Sequence, residues 1–175
     1  MAENKKELEV TLQVKELKYA IMNKAHVTAR SLQATGKLNY EAAAHMQASE
    51  DDESAYEIMR AINNAVDSVK VEFGEYLDES TTATDNLIDA EIENDSTIVL
   101  NLILPSNYNS SAGDSLGANI HDYIVEYGLY EWYKQTCPEI ADTSKGDAMI
   151  ALEKAKNALY KRSRPERPTY TQQQP

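Results

Sequence analysis

The hydrophobic positions change period along the chain, and each change marks an element. Leu8, Val10, Leu12 and Val14 alternate with polar neighbours, which predicts a half-buried strand over 7–14. From Leu17 the spacing becomes helical. Leu17, Ala20, Ile21 and Ala25 share one face, Ala29 and Leu32 continue it less regularly, and Gly36 supplies a stop, so a helix is expected over 16–35. The stretch from Lys37 to Gln47 is alanine-rich and weakly helical. Ser49 with Asp52 three residues on has the arrangement of a capping box, and four acids crowd a first turn where the helix dipole favours them. Ile58, Ile62, Ala65, Val66, Val69, Phe73 and Tyr76 then carry a long helix over 50–77.

Past the polar turn at Ser80 the period returns to strand spacing. Ile88, Ala90 and Ile92 alternate over 86–93, and Thr97 to Leu104 is almost continuously apolar, as in a strand covered on both faces. Asn94, Asp95 and Ser96 suit a hairpin loop, and Pro105 ends the second strand. Asp114 then reads as the N-cap of a helix over 115–135. Leu116, Ile120, Ile124 and Tyr127 form one face of it, Val125, Leu129, Trp132 and Tyr133 another, with Tyr123 and Tyr130 between. A helix apolar most of the way round is either central or at an interface. Tyrosine and tryptophan are enriched at binding hot spots. Tyr123, Tyr127, Tyr130, Trp132 and Tyr133 are therefore candidate subunit-contact residues as well as candidate core. Cys137, in TCPE, reads as a turn residue. A last helix over 144–162 aligns Ala148, Leu152, Ala155 and Leu159.

These elements predict an α+β fold, mainly helical, with about four helices and a small antiparallel sheet of about three strands (7–14, 86–93 and 97–104). One domain is expected over 1–162, with the 86–104 hairpin inserted between helix pairs. Residues 163–175, SRPERPTYTQQQP, break the pattern. Their prolines remove backbone donors, and three glutamines offer nothing apolar to bury, so this segment is expected to be an extended arm. Arg162, Arg164 and Arg167 can pair with carboxylates in bidentate fashion, Pro165 and Pro168 stiffen the backbone, and Tyr170 can anchor in a pocket.

Charge sharpens this division. The net charge is −12, yet residues 1–149 carry eleven basic and 27 acidic side chains, a balance of −16, whereas 150–175 carry six basic and two acidic, a balance of +4. An acidic body repels phosphates, which argues against tight DNA binding by it. No run of about 18 apolar residues exists to span a bilayer. MAENKKELEV has no signal-peptide pattern, so a cytoplasmic product is expected. The single Cys137 excludes an internal disulfide and a cysteine-based zinc site.

Signatures of chemistry are sparse. The acids of EDDE (50–53) point in different directions round a helix and lack the spacing of a calcium loop. His26, His45 and His121 lie far apart, without metal-ligand spacing. No phosphate-binding lysine loop, dinucleotide fingerprint or nucleophile elbow occurs, and GDSLG (113–117) has no lysine. A Cys137–His121 couple would need an orienting group that nothing in the sequence supplies. The expectation is a non-enzyme with no catalytic residue, cofactor or metal.

The runs NKAHVTARS, NYEAAAHMQASEDDESAYEIMRA, ILPSNYNSS and IHDYIVEYGLYEWY, with a final helix ending KRSRPERP, together resemble small structural proteins of phages and prophages of Bacteroidetes gut bacteria. The order of LYEWY, a last helix and a basic, proline-rich tail is similar to head–tail connector (neck ring) proteins of tailed bacteriophages. That resemblance implies a homo-oligomeric ring of about 12 subunits, made in the host bacterial cytoplasm and built into the virion neck. Its partners would be the portal or neighbouring neck and tail rings, with genomic DNA passing through without specific binding and no membrane involved. Connector families are commonly all-helical, so the strands leave a tail-terminator or other tail-ring identity open. A soluble bacterial interaction or regulatory module, and a nucleic-acid binder using its basic C-terminus, are the readings from other classes.

Overall fold

The structure, a computed structural model, describes residues 5–48, 52–78, 80 and 96–165. Among them the chain forms β1 (Lys6–Gln13), α1 (Val14–Ala34), α2 (Tyr40–Met46), α3 (Asp52–Glu72), β2 (Thr97–Leu104), α4 (Gly113–Thr136) and α5 (Pro138–Leu159). Short 3-10 turns follow α3 at Gly74–Tyr76 and precede α4 at Ser110–Ala112. The fold is mainly helical with a small antiparallel sheet, as the sequence predicts.

Helix and strand counts differ from the expectation. The sheet of the described residues has two strands, β1 and β2, paired antiparallel from Lys6 opposite Leu104 to Gln13 opposite Thr97. Val10, Leu12, Leu100, Leu102 and Leu104 are buried, while Glu7, Glu9, Thr11 and Gln13 face outward. The strand expected at 86–93 and the cap expected at Ser49 lie outside the described residues. On its other side β2 meets Leu77, which bridges to Leu102, and the Asp78 N–H donates to Asn101 O at 2.9 Å.

The strand passes into α1 without a loop. Val14, assigned from its alternation to the strand, is the first helical residue, yet its N–H still donates to Ser96 O at 3.1 Å. One residue thus closes the ladder and opens the helix. At the other end of α1, Gly36 adopts φ 72°, and two bonds close the stop: Gly36 N–H to Gln33 O at 3.0 Å and Lys37 N–H to Leu32 O at 3.0 Å. This reciprocal pair satisfies carbonyls that a helix end leaves unpaired. The weakly helical stretch that follows becomes the seven-residue α2, because Asn39 Oδ1 accepts from the Ala42 N–H at 2.7 Å.

Two further boundaries moved. Asp114 lies in the first turn of α4, whose N-cap is Ala112. The last helix starts at Pro138, well before the expected 144, and ends at Leu159. Proline suits the first helical turn because it has no N–H to leave unpaired there. Cys137 (φ −154°, ψ 77°) is the only residue between α4 and α5, so the two helices form a tight hairpin.

α4 is the centre. Leu116, Ile120, Tyr123, Ile124, Val125, Leu129, Trp132 and Tyr133 are all buried on it, and α1, α3 and α5 pack around them. This is the central alternative for a helix apolar on several sides. Gly128 lets α1 approach closely: a Cβ there would lie 2.5 Å from Ile21 Cδ1. One cluster of buried side chains draws on both strands and all five helices of the described residues.

Candidate interaction surfaces

The five aromatic residues singled out on α4 divide into two groups. Tyr123, Trp132 and Tyr133 are 3%, 9% and 2% exposed and belong to the core. Trp132 also has its polar atom satisfied, since Nε1–H donates to Met46 O at 2.9 Å, tying α4 to the end of α2. Burial raises the phenol pKa values of Tyr123 and Tyr133. At Tyr123 the Ser68 hydroxyl works against that shift and the Glu72 carboxylate adds to it.

Tyr127 and Tyr130 are only partly buried and carry the aromatic row to the surface. Ring centroids are 5.8 Å apart for Tyr123–Tyr127 and 5.9 Å apart for Tyr127–Tyr130. Lys134 and Lys145 lie over the Tyr130 ring, at 5.1 and 5.6 Å from its centroid. Lys134 also binds Glu131 at 3.0 Å, and that hydrogen bond, with the carboxylate charge, raises the lysine pKa. Of the expected contact residues, these two are the ones a neighbour could reach.

The arm begins differently from the expectation. Arg162 does not project as a free docking group. Its Nη1 donates to Leu159 O at 3.0 Å, capping the last carbonyl of α5, and to Lys161 O just beyond it at 3.3 Å. The backbone around it is clasped by the loop after β2: Asn109 N–H donates to Lys161 O at 3.1 Å and Ser163 N–H to Asn107 O at 2.7 Å, around an antiparallel bridge of Tyr108 to Arg162. Lys6 Nζ reaches the same loop, donating to Tyr108 O at 2.6 Å. The chain therefore leaves α5 on a defined course beside the start of β1. Arg164 and Pro165 are exposed just beyond the clasp, whereas Arg167, Pro168 and Tyr170 lie outside the described residues. The clasp could not be read from sequence, because Asn107–Asn109 resembles any polar loop.

Groups capable of chemistry are scattered. His121 pairs with Glu16 of α1 and approaches Asp122 Oδ1 at 3.5 Å. Cys137 is buried in the α4–α5 turn. Among the described residues no group of three or more His, Cys, Asp or Glu side chains could hold a metal ion. A polar cleft between α3 and α4 is lined by Glu57, Arg60, Asn64, Glu131 and Gln135, where Gln135 Nε2 donates to Glu57 Oε2 at 3.3 Å. It brings together no nucleophile and base. No helix among the described residues is long and apolar enough to cross a membrane.

The class that emerges is a mainly helical α+β protein built round one central helix, with candidate contact surfaces and no assembled reactive centre among the described residues. No family model, no curated protein and no solved structure matches the chain.

Proposed function

We propose that this chain is a non-enzymatic virion structural protein, one subunit of a ring in the neck of a tailed phage. In this reading the ring joins the portal to the tail, and its acidic body lines a channel through which genomic DNA passes without being gripped. The observation that carries the reading is the pinned root of the arm. A basic, proline-containing segment whose root leaves an acidic body on a set course is suited to dock on a neighbouring acidic subunit or ring, its prolines limiting the entropy lost on docking. The sequence resemblance supplies the virion context, and the partly exposed Tyr127 and Tyr130 offer aromatic contact area.

The decisive experiment is a mass measurement of the purified full-length chain, followed by electron microscopy of any large species. A closed ring of one stoichiometry is expected. A chain that remains monomeric at every accessible concentration would instead support the soluble interaction module.

A further inference from the structure

Two helices present outward faces whose apolar side chains are left exposed among the described residues, and the two faces differ in charge. On α1 the buried side is Val14, Leu17, Ile21, Ala25 and Ala29. The opposite side exposes Tyr19 and Val27, at 68% and 57%, with exposed Asn23 between them. Exposed Lys15 and Arg30 bracket this row, and neither has an ion-pair partner among the described residues. Of the other charges of α1, Lys24 pairs with Glu126 at 2.5 Å and Glu16 with His121.

On α5 the buried side is Ala141, Ser144, Ala148, Ala151, Leu152, Ala155, Ala158 and Leu159. The opposite side exposes Met149 and Ile150, at 56% and 52%, with exposed Glu139 and Asp142 on one side of them and Glu153 on the other. These three carboxylates have no ion-pair partner among the described residues. The basic residues of α5 lie off this row: Lys145 sits over Tyr130, Lys156 binds Glu72 at 2.6 Å, and Lys154 is round to one side.

The spacings agree. Lys15 and Arg30 are fifteen residues apart and Glu139 and Glu153 fourteen, which at the helical rise is about 22 and about 21 Å. On each helix the apolar pair falls between the charges. Gly146, where an added Cβ would meet nothing within 4 Å, leaves α5 smooth beside Ile150. α1 and α5 each pack on α4 but hardly on one another, so the two faces are separate surfaces of one protomer.

We infer that the cationic α1 face of one copy docks on the acidic α5 face of the next, burying Tyr19 and Val27 against Met149 and Ile150. A contact between two different faces is heterologous, and repeating it generates a ring or a filament. The inference rests on the ring reading above and names the contact that would build it.

The test uses the full chain in three forms: K15E with R30E, E139K with E153K, and all four changes together. These positions are exposed, so melting temperatures near that of the unsubstituted chain are expected. Reversing either face places like charges opposite one another, and the concentration for half-assembly should rise at least about tenfold. The fourfold variant, with the charges exchanged, should assemble close to the original level. Unimpaired assembly of either double variant overturns this contact while leaving the ring reading intact, and so does failure of the fourfold variant to recover. If the unsubstituted chain never assembles, the ring reading falls and this contact with it. As a charge-independent check, Tyr19→Ala should weaken assembly without changing the melting temperature, and a variant that assembles normally would count against the contact.

Discussion

The indole N–H of Trp132 donates to the backbone carbonyl of Met46 at 2.9 Å, joining residues 86 apart in the chain. It fastens the central helix to the end of the shortest one, where a carbonyl would otherwise lack a partner. Trp132 is thus a structural residue with both its area and its polar atom in use. Trp132→Ala should cost on the order of 3–5 kcal/mol. Trp132→Phe keeps most of the apolar area but leaves the Met46 carbonyl unpaired, and should cost about 1–3 kcal/mol. Urea denaturation of both variants checks the order. Equal stability of Trp132→Phe and the unsubstituted chain would show that the hydrogen bond contributes nothing.

Gly128 faces Ile21 across the α1–α4 contact. Gly128→Ala gains about 1 kcal/mol of helix propensity but drives its Cβ to 2.5 Å from Ile21 Cδ1. Overpacking of this kind costs about 1–3 kcal/mol, so net destabilisation is expected. Ile21→Val removes the clashing methyl. The double variant should therefore be more stable than the two single changes predict, and a double-mutant cycle measures the coupling.

Alkaline stability follows from the buried phenols. Tyr108, Tyr123 and Tyr133 all have pKa values raised above 10.0, with burial the largest cause in each case. A raised folded-state pKa means that the neutral form is the one the fold accommodates. Its contribution is complete below the unfolded-state value and is lost as pH climbs from there through the folded value. Stability should hold up to about pH 10 and then fall. Phenolate absorbance should show a subset of the eleven tyrosines titrating only with unfolding. Titration of all eleven before any loss of helical signal would contradict these burial assignments.

The clasp changes where the arm should be cut. A chain ending at Lys161 loses the Ser163–Asn107 bond and the Arg162 cap, so it would test folding and docking together. A chain ending at Arg164 keeps both. It should melt within a degree or two of the full chain yet attach poorly to a neighbouring ring, with a deficit that varies with salt. Attachment as efficient as that of the full chain would remove the arm from the proposed function.

Local pattern determined a good deal of this molecule on its own. Period and punctuation were enough to mark the strand ending near residue 14, the long helices and the stop at Gly36, because each depends on residues within one or two turns. The two-sided apolar character of 115–135 already required a helix covered on several sides. Tertiary structure decided what covers it. Whether Trp132 meets Met46 or a neighbouring subunit depends on where residue 46 arrives, and no spacing near residue 132 records that. Strand pairing is of the same kind: residues 97–104 carry β character locally, but their partners in β1 lie 84 to 98 residues upstream. The fate of Arg162 was equally out of reach, since a guanidinium next to a helix end serves as cap or as docking group according to whether the chain turns back, and the Asn107–Asn109 loop makes it turn. The outward rows on α1 and α5 lie between these cases. Tyr19, Val27, Met149 and Ile150 lie off the buried stripes of their helices, but only packing on α4 showed that no other described residue covers them.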